Sequence, residues 1–497
     1  MGGVGSDESE PTNEVRRRFA PECCAPEPGA ERLLVDRAIA RLGAIFVGLF
    51  LLLALRQVWL QVIAGPKLAA NQYNPRHAQI AQGRGSILAS DGTPLAVSHG
   101  AHRVYPQGAL TAQAVGYASS RYGTAGLEDA FDRVLTAHTD AVDPLTQLRQ
   151  IFAGTHGAPR GADVVTTLDL SVQKALVAGL SQHARAAGIV MDPRTGAVLA
   201  LASVPSYDPN QLDALWPTLS RDPASPLLDR STGGLYPPGS TFKIFTASVA
   251  LDAGVVTPQS TFSDYGGLTI GDFTVHNDEE ETTGTQDLAG AFALSSNVDF
   301  AQIALKIGVD RWFEYARKFG LGQPVAFDLP VSRDRLPAKK DVYAGILAQL
   351  GFGQASLLVT PMRMGLIGAT IADEGTTPRP YLVRRIAGTQ TALATGPETL
   401  AQPISADTAH EVRDLMIQVV KRGTGTAAQL PGVTVAGKTG TATNPHGRSH
   451  AWFVAFAPAE APRVAVAIVI ENVGYGGTYA APIARDVLRV ALARSRR

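Results

Sequence analysis

Three short motifs occur in a fixed order in this chain, and they constrain its fold more than any other feature. They are Ser240-Thr241-Phe242-Lys243, Ser295-Ser296-Asn297 and Lys438-Thr439-Gly440. Each motif alone is weak evidence, but their order and wide separation are typical of enzymes that open amide bonds through an acyl-serine. The fold must therefore bring three distant segments to one place.

The local context of the first motif suits a nucleophile and its base. Ser240 follows two prolines and Gly239 and opens a helical run to Leu251. We therefore expect a turn that presents the Ser240 hydroxyl at a helix N-terminus, where negative charge is favoured. The spacing of three residues places Lys243 on the same helix face, one turn along.

The type of basic residue at two motif positions supports this interpretation. Only nine of the 44 basic residues are lysines, yet both Lys243 and Lys438 are among them. Arginine does not release its proton in a protein, whereas a desolvated lysine can act as a base. The alternative is two surface lysines and a helix-capping serine, which is the usual explanation of either motif alone.

Composition and cysteine content argue against several other classes of function. The formal net charge is zero, so nothing favours nucleic-acid binding. The only cysteines are Cys23 and Cys24, which leaves the rest of the chain without a disulfide. No group of His and Cys has the spacing of a zinc site. We expect no metal and no cofactor.

One candidate membrane span lies near the N-terminus. Residues 1–41 are polar and aperiodic, and we expect a disordered tail. The uncharged run 42–55 continues to residue 63, which makes a helix long enough to cross a bilayer core of about 30 Å. Arginines cluster before this run, so the positive-inside rule predicts a cytoplasmic N-terminus and an extracytoplasmic remainder. A cleaved signal peptide is disfavoured because Arg56 and Trp59 lie where small residues should precede a cleavage site.

The rest of the chain has the pattern of two folded parts. Residues 64–184 contain short apolar segments broken by Gly and Pro, including a hairpin around Asp91-Gly92, and are expected to form a separate small domain. Residues 185–497 begin with another hairpin and end with three strands and a closing helix. The expected fold class is α+β, an antiparallel sheet flanked by helices, with the nucleophile on a helix and the Lys438 motif on a strand.

With these residues in place, the chain resembles the class B penicillin-binding proteins, membrane-anchored peptidoglycan D,D-transpeptidases of the compact FtsI/PbpA type. Ala355 and the Ser90-Asp91-Gly92 turn depart mildly from the family pattern. The other segments that carry the resemblance are Arg84-Gly85, Gly126-Leu127-Glu128, Thr167-Leu168-Asp169, Tyr236-Pro237-Pro238-Gly239, Gly351-Phe352-Gly353-Gln354 and Ala451-Trp452-Phe453.

The resemblance implies a fold, partners and substrates. The fold is that of serine β-lactamases and penicillin-binding transpeptidases at residues 185–497, preceded by a pedestal (dimerisation-like) domain at 64–184 and a single transmembrane helix at 42–63. The substrates are peptidoglycan stem peptides, and β-lactams are the inhibitors. The implied membrane partners are a SEDS-family glycosyltransferase and other cell-wall synthesis proteins.

The resemblance also implies catalytic roles. Ser240 would attack the penultimate D-Ala carbonyl of a stem peptide while Lys243 takes the serine proton. Ser295 would relay a proton to the leaving amine, and Asn297 would orient Lys243 and the substrate amide.

The third motif would bind the substrate carboxylate. Lys438 would attract this group, and the hydroxyls of Thr439 and Thr441 would hold it, with Gly440 between them on the strand. The backbone N–H groups of Ser240 and Thr441 would form an oxyanion hole.

Four alternatives remain open. A serine β-lactamase of class A needs a glutamate that activates water, but no E-x-x-L-N-like segment follows Asn297. Glu314 stands alone in a helical run, where a solvated face is the better explanation. A bifunctional synthase would need a glycosyltransferase domain; Glu128-Asp129 superficially matches its acidic pair, but too few residues are available. A D,D-carboxypeptidase would differ only in using water to resolve the acyl-enzyme. The intact motifs disfavour a non-catalytic scaffold, and a β-lactam sensor would need signalling machinery that the short tail does not supply.

Overall fold

The computed structural model describes residues 28–59, 83–100, 102–136, 160–278, 281–388, 394–444 and 447–494. The chain divides into two compact units, Met1–Asn71 and Gln72–Arg497. Three sequence-based predictions lie outside the described residues: the tail before residue 28, the cysteine pair, and the end of the membrane segment at residues 60–63.

The described part of the first unit is a helix, α1, from Pro28 to Val58. Its segment Arg37–Val58 is long and apolar enough to cross a membrane, and its apolar side chains are exposed. The helix begins earlier than predicted: residues 28–41 are helical, whereas the sequence analysis predicted a disordered tail there. Proline is favoured in the first turn of a helix, and extending an existing helix through Ala, Arg and Leu costs little.

The second unit mixes short strands with helices. Its described strands are β1 (Ile87–Leu88), β2 (Pro94–His99), β3 (His102–Val104), β4 (Tyr117–Ser119), β5 (Gly123–Ala125), β6 (Asp163–Thr166), β7 (Ala186–Met191), β8 (Val198–Val204), β9 (Thr261–Asp264), β10 (Leu268–Ile270), β11 (Phe273–Val275), β12 (Gly284–Asp287), β13 (Thr377–Pro378), β14 (Val383–Ala387), β15 (Thr399–Ala401), β16 (Ala436–Ala442), β17 (His450–Ala457) and β18 (Val464–Ile470). Its described helices are α2 (Ala112–Val115), α3 (Gly126–Ala130), α4 (Asp132–Leu135), α5 (Leu170–Leu180), α6 (Leu212–Leu219), α7 (Lys243–Asp252), α8 (Leu288–Leu294), α9 (Asn297–Ile307), α10 (Val309–Lys318), α11 (Ala344–Leu350), α12 (Pro361–Ala372), α13 (Ala406–Arg422) and α14 (Gly476–Arg494).

The segment predicted as a pedestal contains a five-stranded sheet in the order β14-β6-β1-β2-β3. The predicted hairpin is β1 and β2, and the predicted strand near Val164 is β6. β14 pairs antiparallel with β6, although it lies far downstream in the chain. A strand from the region predicted as the second domain therefore completes the first sheet.

The larger sheet is antiparallel and has the order β16-β17-β18-β7-β8. Alternate residues point to opposite faces, as strand geometry requires. Val190 and Ile468 pack on the face covered by α5 and α14, whereas Ile189 and Ala467 pack on the face covered by α12. This arrangement confirms the predicted antiparallel sheet flanked by helices.

β16 is an edge strand of this sheet, and its outer side borders a helical lobe. The central helix of the lobe is α7, whose residues from Lys243 to Leu251 are all buried. The three motifs meet at this border.

Candidate active site

Ser240 lies on a tight 3₁₀ turn, Gly239–Phe242, that leads into α7. The α-helix itself therefore begins at Lys243, three residues after the predicted start. Gly239 has a φ of +53°, and a Cβ there would lie 2.7 Å from the Thr441 carbonyl oxygen. Only glycine allows this conformation and this close approach to β16. Trp452 holds the turn from the other side, since its Nε1 donates to the Pro237 carbonyl at 3.0 Å.

The second motif forms the junction between α8 and α9. Ser295 ends α8 in the left-handed conformation, with a φ of 64°, which is uncommon for a residue with a side chain. Ser296 is the N-cap of α9, because its hydroxyl accepts from the Asp299 N–H at 3.1 Å. Asn297 therefore occupies the first helical position of α9. Left-handed conformations such as that of Ser295 are strained in residues with a side chain, and they concentrate at functional sites.

A hydrogen-bond network joins the second motif to both motif lysines. Lys243 Nζ donates to the Ser295 carbonyl at 2.6 Å, to Asn297 Oδ1 at 2.8 Å and to Ser295 Oγ at 3.3 Å. Lys438 Nζ donates to the same Ser295 Oγ at 2.8 Å. The Ser295 hydroxyl thus lies between two amines. In the described part of the chain, none of the hydrogen bonds of Lys243 goes to Ser240, although Ser240 and Ser295 line one cavity.

Burial controls the protonation of the two lysines. Both side chains are fully buried. Burial lowers the pKa of Lys243 to about 7, with Asp278 and Asp299 partly opposing this shift. Burial and the nearby Lys243 together lower the pKa of Lys438 well below its usual range. A lysine with a pKa near 7 is about half neutral at neutral pH, so it can accept a proton.

The third motif lies on β16, as predicted. β16 pairs with β17 from Ala436 to Ala442, which leaves its other edge facing the site. A Cβ on Gly440 would lie 2.9 Å from Thr241 Cγ2, so glycine lets the strand approach the nucleophile turn closely. The Thr439 hydroxyl is 2.5 Å from the Thr424 hydroxyl. The adjoining cavity has a volume of about 450 Å³.

The structure adds three residues to which sequence analysis gave no role. Asn277 Oδ1 accepts from the Asn297 N–H at 2.7 Å and so fixes the start of α9. Thr424 lines the cavity beside the third motif. Gly353, whose φ is +74°, accepts a backbone hydrogen bond from Gly239 at 3.0 Å and supports the nucleophile turn. The Gly351–Gln354 motif pointed to Gly353, but no local pattern marked Asn277 or Thr424.

The acidic residues considered for other activities lie elsewhere. Glu314 forms an ion pair with Lys318 at 3.0 Å on the half-exposed face of α10. Glu128 is fully buried between Arg84 and Arg103, at 2.6 Å from each. Glu128 therefore has a structural role in the pedestal segment, and Glu314 lies on a solvated helix face. Across the described ranges, no group of three His, Cys, Asp or Glu residues is placed to hold a metal ion.

Comparison with known proteins identifies the family. Residues 186–489 match the penicillin binding protein transpeptidase domain, and residues 84–164 match the penicillin binding protein A dimerisation domain. The chain is 35% identical to the peptidoglycan D,D-transpeptidase PbpA of Mycolicibacterium smegmatis, over 92% of this chain and 99% of that protein.

More distant and structural relatives agree with this result. The chain is 32% identical to the peptidoglycan D,D-transpeptidase MrdA of Escherichia coli, over 75% of this chain and 69% of that protein. The penicillin G acyl-enzyme complex of penicillin-binding protein A from Mycobacterium tuberculosis superposes with a TM-score of 0.75 at 34% identity, covering 83% of this chain and all of that one. The chain therefore belongs to the class B penicillin-binding proteins.

Proposed function

We propose that this protein is a peptidoglycan D,D-transpeptidase that cross-links stem peptides through an acyl-Ser240 intermediate. The observation that carries this proposal is the buried network in which the Ser295 hydroxyl lies between Lys243 and Lys438, next to Ser240 on one cavity. Such a network can move a proton from a nucleophile to a leaving amine without a metal or cofactor.

In the acylation step, Ser240 Oγ attacks the carbonyl of the penultimate D-Ala and gives its proton to neutral Lys243. The bond between this carbonyl carbon and the terminal D-Ala nitrogen then breaks. The leaving nitrogen takes up a proton through Ser295, whose hydroxyl is in hydrogen-bond contact with both lysines. Asn297 fixes the Lys243 amine for this transfer, since its Oδ1 accepts from Nζ at 2.8 Å.

The third motif binds the end of the donor peptide. Threonine hydroxyls line one side of the 450 Å³ cavity, including those of Thr439 and Thr441. They suit the terminal carboxylate, and buried Lys438 lies behind them. The backbone N–H groups of Ser240 and Thr441 form the oxyanion hole; the close approach of Gly239 to Thr441 supports this assignment.

The rate of acylation should depend on pH through Lys243. The reactive form is the neutral amine, and the pKa of Lys243 is about 7, so the rate rises as pH increases through neutrality. We expect a rise of about tenfold from pH 5 to pH 6 and about fivefold from pH 6 to pH 7, with a plateau above pH 8. Stopped-flow measurement of acylation by a fluorescent penicillin at saturation checks this. A flat profile would exclude Lys243 as the group that accepts the proton.

The penicilloyl-enzyme should be long-lived, which separates this function from that of a β-lactamase. Among the described residues, Glu314 points to solvent on α10 and the buried Glu128 is held in ion pairs. General-base activation of water is worth about 10²–10⁴ in rate. Glu281 lines the 450 Å³ cavity, but its side chain is exposed and makes no hydrogen bond within the described ranges that would fix it as such a base. Incubation with nitrocefin should give one stoichiometric burst and little turnover. Sustained turnover near 10 s⁻¹, a typical enzyme rate, would instead indicate a β-lactamase.

We further propose that α1 anchors the protein with its N-terminus in the cytoplasm and its second unit outside. The arginines before residue 42 support this orientation. The only cysteines, Cys23 and Cys24, are natural reporters of it. A membrane-impermeant maleimide should fail to label them in spheroplasts but label a cysteine introduced at exposed Ser220. Labelling of the native pair, or a new N-terminus near Gly65, would contradict the anchor.

The partner we propose is a SEDS-family glycosyltransferase, on the basis of the family resemblance, together with other cell-wall synthesis proteins. Such an enzyme would supply the glycan strands that carry the stem peptides. We expect the full chain to co-purify with this glycosyltransferase. This co-purification should be lost when α1 is exchanged for an unrelated membrane helix. Equal recovery of both forms would argue against a membrane-mediated contact.

A further inference from the structure

Two cavities meet at the nucleophile. The first, of about 450 Å³, contains the threonine hydroxyls of the third motif. The second has a volume of about 410 Å³ and lies on the side of Asn297. The residues common to both are Ser240, Thr441 and Asp278. A group bound in the second cavity can therefore reach the acyl carbon on Ser240 from the side opposite the donor carboxylate.

The lining of the second cavity has a definite chemistry. Phe273, Val275 and Phe352 supply an apolar patch, most of the other lining side chains are neutral and polar, His276 is also present, and Asp278 supplies the carboxylate. No lysine or arginine is among the described residues that line this cavity. The cavity thus suits an aliphatic chain that carries a positive charge at one end.

Asp278 is available to bind such a charge. Its side chain is exposed, and within the described ranges it makes no ion pair or side-chain hydrogen bond. It lines both cavities together with Ser240 and Thr441, which places its carboxylate close to the reacting groups. A carboxylate at the protein surface attracts a cation more strongly than one in bulk water, because the effective dielectric constant is lower there.

We propose that the second cavity binds the aliphatic side chain of a stem-peptide diamino acid, with Asp278 as the counter-ion of its primary ammonium. This inference rests on the proposed transpeptidase function and adds the recognition of the amine. The same chemical group occurs on two substrates: the stem that donates the acyl group and the stem that accepts it.

When the amine belongs to the acceptor stem, it attacks the acyl-enzyme in the following steps. The ammonium first gives one proton to solvent, and its nitrogen then attacks the acyl carbon. A C–N bond forms, the bond from this carbon to Ser240 Oγ breaks, and a second proton passes from the nitrogen to Ser240 Oγ. Asp278 holds the cation near Ser240 before this step and is a positioning residue.

The test compares Asp278→Asn with Asp272→Asn in the full chain in detergent. Asp272 is an exposed residue of the turn between β10 and β11 and lines neither cavity, so its replacement is a charge-matched control. In the acceptor arm, Nα-acetyl-lysine amide and neutral hydroxylamine compete for the acyl-enzyme. In the donor arm, lysine-containing stem pentapeptides with a free or an acetylated side chain are compared for kcat/KM.

We expect Asp278→Asn to raise the half-saturating concentration of the lysine amide about 5- to 10-fold, with less than a twofold effect on hydroxylamine. Asp278→Glu should restore most of the loss. A selective loss with the free-amine donor would instead assign the cavity to the donor stem, which equally supports the ammonium site.

Three results would overturn the ammonium site. One is an unchanged preference for free amines in both arms, and another is an equal change in Asp272→Asn. The third is a loss of penicillin acylation in Asp278→Asn as large as its loss of amine binding. That result would mean that Asp278 acts through the catalytic lysines. Failure of the proposed function itself is distinguishable, because the wild-type protein would then form no penicillin adduct.

Discussion

Replacing Ser240 with alanine is expected to abolish covalent labelling by β-lactams and release of D-Ala. The reason is chemical, because Ser240 Oγ is the atom that carries the acyl group in the proposed mechanism. The nearest rival is the Ser295 hydroxyl, but hydrogen bonds from Lys243 and Lys438 hold it as a relay between the two amines. We expect the labelling rate to fall below detection, at least about 10³-fold.

Fluorescent penicillin followed by peptide mapping measures this effect. Ser248→Ala is a matched control, because Ser248 is a buried serine on α7, the helix that follows the Ser240 turn, and its hydroxyl donates to the Ile244 carbonyl at 2.7 Å. It should leave labelling within about threefold of wild type. Label on a peptide that lacks Ser240, or label that persists in Ser240→Ala, would show that another residue is the nucleophile.

Replacing Lys243 with arginine is expected to reduce acylation by about 10³–10⁴ while the protein stays folded. Arginine keeps a positive charge and can still donate to Ser295 and Asn297, but it cannot become neutral at physiological pH. The loss should therefore fall on the rate of acylation and not on the amount of folded protein. Arginine should also remove the pH dependence expected from a group with a pKa of about 7.

Two further variants keep this result interpretable. Lys243→Met has similar volume without an amine and should lose as much rate, which covers the case in which the larger guanidinium disturbs packing. Lys174→Arg, at an exposed position on α5, should have no effect. Acylation within tenfold of wild type in Lys243→Arg, at unchanged thermal stability, would show that Lys243 is not the base.

The elements that sequence analysis predicted are those with strong local signals. The strand after His450 is a continuous apolar segment, and the Lys438 strand follows the β-branched run from Val433 to Val435. Asp169 caps α5 as expected, with Oδ1 accepting from two backbone N–H groups. The motif residues could be assigned because their chemistry is specific and their order is rare. These local patterns were sufficient to place Ser240 beside the Lys438 strand.

What sequence analysis missed depends on contacts between distant residues. Nothing in Val383–Ala387 reveals that it pairs with β6, because the pairing depends on the arrangement of both sheets. Asn277 is an ordinary loop residue in sequence, and only its contact with Asn297 gives it a role. The same applies to Asp278, whose position between two cavities is a property of the folded chain. Periodicity and propensity describe neighbours in sequence, and these contacts are not between such neighbours.

The central claim is that acyl-Ser240 is resolved by an amine. The most direct measurement is mass analysis of muropeptides after the full-length protein has acted on uncross-linked peptidoglycan. The account predicts cross-linked dimers and an equivalent amount of free D-Ala, with both products absent in Ser240→Ala. Shortened stem peptides and free D-Ala without dimers would contradict it, because water would then be the acceptor and the protein would be a D,D-carboxypeptidase.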